Sequence, residues 1–251
     1  MRLLVLLMSL AMPVVAWFGQ SGAFGPDNGV ISDRYPTLLV AAGYAFSIWG
    51  LIFLLDLVFG AWQATPARAR DPVLVRIRVP AALGFALTAL WMPVFSQQVF
   101  WLALLIIWGA LACLLACALI LSREPALDGT TRWLAWLPLS LHAGWLSLAA
   151  FLNTAQVIVA YQWLPTERML GWSLVLLGVA AATLLALNQR MRGNVAYVAA
   201  ALWALAAAYV KQSQSPLPGA DTAAWAALLV AAVLLAQTLW LRLRRPLTAT
   251  A

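Results

Sequence analysis

The sequence predicts an all-α fold, a polytopic transmembrane helical bundle of about eight spans, and three observations carry that prediction. Hydrophobic residues make up 65% of the chain and charged residues only 9%, whereas an ordinary soluble domain is about 25% charged. Apolar runs near the ~20 residues that cross a bilayer as helix recur from end to end. Basic residues gather in the short stretches between those runs, mostly in alternate ones. Backbone in lipid must satisfy its own hydrogen bonds, so runs of this length are helices; barrel strands would be shorter and alternating.

In chain order the spans fall at roughly 3–18, 40–63, 77–97, 99–121, 134–160, 168–188, 195–211 and 222–241. The first, following Arg2 and ending in Val14-Val15-Ala16, also has the form of a signal peptide; a retained first span is the preferred reading. The third and fourth nearly touch at Gln97-Gln98, which demands a tight turn. Cys113 and Cys117 lie in the fourth run at helical spacing and imply no disulfide framework. With His142 they could in principle hold a soft metal; packing residues is the preferred reading, and no metal site is assigned. After about 165 the chain turns Ala-rich, with Ala196, Ala200 and Ala204, then Ala224, Ala227 and Ala231. Small residues so spaced let helices approach closely in lipid, so this half reads as packing scaffold.

Charge orients the spans. With the N-terminus inside, Arg2, Arg68, Arg70, Arg76, Arg78, Arg123, Arg132, Arg190, Arg192, Arg242, Arg244 and Arg245 fall on the cytoplasmic side. Arg34, Arg168 and Lys211 fall on the other. This asymmetry predicts a multi-pass protein of the cell's inner (plasma) membrane with both termini cytoplasmic. It also accounts for the net charge of +7 without a nucleic-acid partner.

Fourteen tryptophans are the most unusual feature. Trp17, Trp62, Trp133, Trp163 and Trp240 fit interface anchors; Trp49, Trp91, Trp108, Trp145 and Trp203 sit deeper in their spans. In the second span Trp49, Phe53, Asp56 and Gly60 share a helix face, as do Thr88, Trp91, Phe95 and Gln98 in the third. His142, Trp145, Ala149 and Asn153 do so in the fifth. Polar groups in a bilayer turn toward partners or cavities, so three such faces, if they meet, make an aromatic pocket suited to a flat hydrophobic ligand. The candidate ligand-binding residues are Trp49, Phe53, Asp56, Trp91, Phe95, His142, Trp145 and Asn153. Asp56 is the only acid inside an apolar span, and His142 is its expected partner because no Lys or Arg falls at that depth.

The segments Ala42-Gly43-Tyr44-Ala45-Phe46-Ser47-Ile48-Trp49-Gly50, Ala89-Leu90-Trp91-Met92-Pro93-Val94-Phe95, and Leu137-Pro138 through Trp145 to Leu152-Asn153 occur in that order. Together they resemble the tryptophan-rich sensory protein/translocator protein (TspO/MBR) family, once called peripheral benzodiazepine receptors. The resemblance covers roughly residues 3–160 and implies a five-helix membrane bundle that binds porphyrins, sterols and aromatic ligands. It places Trp49, Trp91, Pro93, Phe95, Trp145 and Asn153 at family pocket or packing positions. The chain departs from the family pattern at Ala41-Ala42, where paired prolines stand, between Phe46 and Trp49, where one residue is missing, and at Thr154, where an aromatic stands.

The expected organisation is thus a TspO-like five-helix bundle over 1–165 and three additional helices with a short basic tail over 166–251. The expected function is an integral membrane ligand-binding or sensory protein, with a transporter of tetrapyrroles or other small hydrophobic molecules as the alternative. Catalysis would call for paired carboxylates, an activated nucleophile or a metal cluster, and the spans offer one acid and one histidine, so the residues favour binding. No cofactor is required; a porphyrin- or haem-like ligand is what the resemblance implies. The expected partners are the lipid bilayer and a hydrophobic small molecule, with homodimerisation left open.

Overall fold

The computed structural model describes residues 1–244; Arg245 and the rest of the basic tail lie outside the described residues. Nine helices make up this part, and eight of them are long and apolar enough to cross a membrane. They are α1 (Arg2–Gln20), α2 (Asn28–Arg34), α3 (Ile48–Ala64), α4 (Pro72–Ser96), α5 (Phe100–Arg123), α6 (Gly129–Ala160), α7 (Met169–Arg190), α8 (Val195–Gln212) and α9 (Ala220–Leu243). Side chains that cap the orphan amides of a first turn fix several starts. Asp27 accepts from Gly29 and Val30, Asp71 from Val73 and Leu74, Asp128 from Thr131, and Asn194 from Ala196 and Tyr197. The Gln97-Gln98 turn is as tight as expected: Gln98 takes φ +60° so that α5 can double back on α4.

Three starts differ from the sequence reading, and one of them is α4, which begins at Pro72 rather than at 77. The second span begins at Gly43, as a 3-10 turn, rather than near 40, because Leu38–Ala42 is not helical. It is a largely buried segment tied to α8: the Ala42 amide donates to Ala207 O at 3.0 Å, and Gln212 Nε2 donates to Val40 O at 2.8 Å. A 3-10 turn, Gly43–Ser47, then leads into α3. In the fifth span helix begins at Gly129, and a π-helical turn over Arg132–Trp136 joins it to the long run from Leu137.

The first five long helices close into a ring: α1 packs on α3 and α4, α4 on α5, α5 on α6, and α6 on α3. Of the remaining three, α8 is packed into the bundle. Helix α8 lies along α6, and α9 and α7 pack beside it, so α6 is the most buried span. Close approach is written into two glycines: a Cβ on Gly60 would fall on the Ser9 hydroxyl of α1, and one on Gly144 on the Tyr197 carbonyl of α8. At the end bearing the N-terminus, Arg78 lies within α4 rather than in a loop. It is 5% exposed and donates to Gln63 Oε1, Ala69 O and Arg68 O at 3.2, 2.9 and 2.6 Å. It thereby ties α4 to the last turn of α3 and to carbonyls beyond it, its charge held by neutral oxygens rather than by a carboxylate.

Candidate functional site

Asp56 and His142, each fully buried, meet between α3 and α6, with Oδ2 and Nδ1 2.7 Å apart. His142 Nε2 lies 3.4 Å from Thr88 Oγ1 of α4, and the Thr88 hydroxyl donates back to Gly84 O at 2.9 Å. Three spans are thus joined through one imidazole, and this is where the three polar faces converge. The ring of His142 is enclosed by Phe85, stacked at 6.1 Å, and by Trp49, edge-on at 5.5 Å. The trio has the residue types of a hydroxyl–imidazole–carboxylate relay. Thr88, however, is 2% exposed with its hydrogen committed to backbone, so no substrate carbonyl reaches it in this arrangement. Chemically it is a clasp. Asp56 Oδ1 and, one turn away on α6, Trp145 Nε1 have no hydrogen-bond partner among the described residues.

A second group stands apart from the first. Trp91 Nε1 donates to Asn153 Oδ1 at 3.0 Å and stacks on Phe95 at 4.8 Å. All three are buried, and they lock α4 to α6 toward the end opposite the N-terminus.

The open space lies elsewhere. A cavity of about 790 Å³ separates the second half of α1 from the first half of α3 and is closed at the back by Met92 and Ser96 of α4. Trp17, Phe46, Trp49 and Phe53 wall it, Pro13, Leu54 and Leu57 line its apolar depth, and Asp27 and Asn28 lie on its polar side. Of the eight candidate residues, Trp49 and Phe53 line this cavity, stacked on each other at 5.0 Å. Trp145 stands behind Trp49, edge-on at 5.9 Å. Asp56 and His142 belong to the clasp, and Trp91, Phe95 and Asn153 to the α4–α6 lock. Trp17, read from the sequence as an interface anchor, is a cavity wall. Phe46, Met92, Ser96 and Asp27 carry no periodic signal that would have marked them, except that Met92 and Ser96 stand four apart on one helix face.

Both cysteines are accounted for within α5: Cys117 Sγ points at Ile77 O, 3.7 Å away, and Cys113 is half-buried.

Compared with known families, the sequence matches the model of the TSPO-like protein family over residues 2–240. The chain belongs to that family. No curated protein and no solved structure matches it. The family match does not stop at the fifth span, where the motif resemblance ends, but runs through α7, α8 and into α9. With eight apolar helices in this TSPO-like chain, it is a multi-pass membrane protein whose solvent is the lipid bilayer.

Proposed function

We propose that this TSPO-like protein is a ligand-binding, sensory membrane protein that takes a flat hydrophobic molecule of the porphyrin kind in the cavity between α1 and α3. The observation that carries the reading is the cavity itself: about 790 Å³, within the ~300–1,000 Å³ of small-molecule sites, and walled by four aromatic rings. Its depth is apolar and its polar groups lie to one side, which suits a planar body with its polar substituents at one edge. Among the described residues, Asp27 is the one charged side chain on the lining, so neutral and cationic ring compounds belong in the ligand panel beside the carboxylated porphyrins.

Protoporphyrin added to the purified protein should quench tryptophan fluorescence saturably. Trp49→Ala should weaken binding by about 1–3 kcal/mol through loss of stacking, while Trp240→Ala, whose ring is covered by Arg244 far from the cavity, should leave it nearly unchanged. Absence of saturable quenching, or equal losses at both positions, would refute the reading. Counter-flow in liposomes distinguishes binding from transport of the same ligand.

A further inference from the structure

One wall of the cavity is the 3-10 turn at the head of the second span, and it is not a free loop. Gly43, Phe46 and Ser47 of the 3-10 turn face the cavity, and the buried stretch before them sets where that turn stands. Among the described residues, the hydrogen bonds that tie 37–47 to another packed element all end on α8. Ala42 N donates to Ala207 O at 3.0 Å, and Trp203 Nε1 donates to Ala45 O at 3.1 Å. Gln212 Nε2 reaches Thr37 O at 3.1 Å and Val40 O at 2.8 Å. Tyr44 also meets the Trp203 ring edge-on at 5.5 Å. Irregular backbone buried among helices has carbonyls that no helix or ladder satisfies. Gln212, 2% exposed, supplies two of the missing bonds, and Trp203 supplies another directly beside Phe46.

We infer that α8 is a positioning element of the ligand site: Trp203 and Gln212 fix the 37–47 segment and so hold Phe46 and Trp49 in the cavity wall without touching the ligand themselves. This gives the helices after 165 a role in recognition beyond scaffold, and it rests on the ligand reading above for its effect on affinity. A side chain that merely contributes to α8 packing would act on stability. One that positions the wall should change binding and local wall mobility.

The test compares Trp203→Phe and Gln212→Leu with Tyr197→Phe. The last removes an α8–α6 bond, Tyr197 Oη to Ser147 Oγ at 2.9 Å, that does not reach the segment. Protoporphyrin affinity is measured by fluorescence quenching, well below each variant's thermal midpoint. A spin label at Ser47→Cys, with Cys113 and Cys117 replaced by Ala, reports wall mobility without ligand. Trp203→Phe and Gln212→Leu should each weaken binding about two- to tenfold, the span expected for a lost hydrogen bond, and should loosen the label. Tyr197→Phe should do neither. Unchanged label mobility in Trp203→Phe and Gln212→Leu, or the same change in Tyr197→Phe, overturns the inference. Should Gln212→Leu fail to fold, Trp203→Phe decides. Should the wild type bind no protoporphyrin, the ligand reading fails alone and the label still reports whether α8 holds the wall.

Discussion

Removing one partner of the clasp should cost far more than removing both. His142→Leu strips Asp56 of its bond at Oδ2, and its Oδ1 already has none among the described residues. The carboxyl would then be wholly unpartnered at a site of 0% exposure. Breaking a buried pair from one side costs about 3–5 kcal/mol. Asp56→Leu should be milder, roughly 1–3 kcal/mol, because the imidazole keeps Thr88 within reach of Nε2. The double replacement puts two apolar side chains into a site walled by Phe85 and Trp49, and should fall within about 1 kcal/mol of wild type. The coupling in a double-mutant cycle is then about 3 kcal/mol or more, several times the ~0.6 kcal/mol typical of side-chain hydrogen bonds in membranes. Reversible unfolding of the four proteins in mixed micelles measures it. Additive single costs, with coupling no larger than that ordinary value, would refute the view that this pair is the central tie between α3 and α6.

Asp56→Asn, which keeps shape and hydrogen-bonding capacity, should leave the fold intact but alter the pH dependence of protoporphyrin binding between about pH 5 and 8, since Trp49 links His142 to the cavity; superimposable profiles would confine the clasp to structure. We propose that both termini face the cytoplasm of the inner membrane: in a background lacking Cys113 and Cys117, a membrane-impermeant thiol reagent should label Lys211→Cys in intact cells and Arg190→Cys only after permeabilisation. Labelling of both from one side would remove a span from the assignment. At the start of α6, the hydrogen bonds from the Thr131 amide and hydroxyl, with Arg68 nearby, hold the Asp128 carboxyl below the usual carboxylate range. Its folded value lies below the unfolded ~3.9, so its contribution is present above that pH and is lost as pH falls through the folded value. Asp128→Asn, still a capable cap, should therefore differ in thermal midpoint from wild type at pH 6 and converge with it in acid; a constant difference would show that the charge plays no part.

The spans were legible because lipid leaves few alternatives: a long apolar run must be helix. The Asp56–His142 pairing was legible for a related reason, since an acid at that depth has few partners to choose from. What periodicity could not separate is a face that packs from a face that lines a cavity. Trp91, Phe95 and Asn153 have the same aromatic-with-polar signature as Trp49 and Phe53, yet the first three close on one another at 3.0 and 4.8 Å. The segment 40–42 misled for a different reason. Its apolar composition is that of a span, but it is buried by α8 rather than by lipid, and that partner lies more than 150 residues away in sequence.

The clasp and the cavity divide α3 between them, and that division accounts for where the cavity is. Trp49, Phe53, Asp56 and Gly60 form one stripe whose far end is fully committed, Asp56 to His142 and Gly60 to close contact with Ser9 of α1. Gly50, Leu54 and Leu57 form the neighbouring stripe and face the cavity. Helices α1 and α3 therefore touch closely only near the end bearing the N-terminus, where Gly60 admits Ser9 and Gln63 donates to Arg2 O at 2.8 Å. Toward the other end they are held apart by Trp49 and Phe53 on one side and Pro13 and Trp17 on the other. Helix α1 is also the least buried of the eight spans and α6 the most, so the cavity lies beside the span most open to lipid while the polar ties run through the most enclosed one. A ligand of the proposed kind would displace lipid from aromatic surface rather than break helix packing, and Trp49, on which Phe53 stacks, is braced from behind by His142 and Trp145.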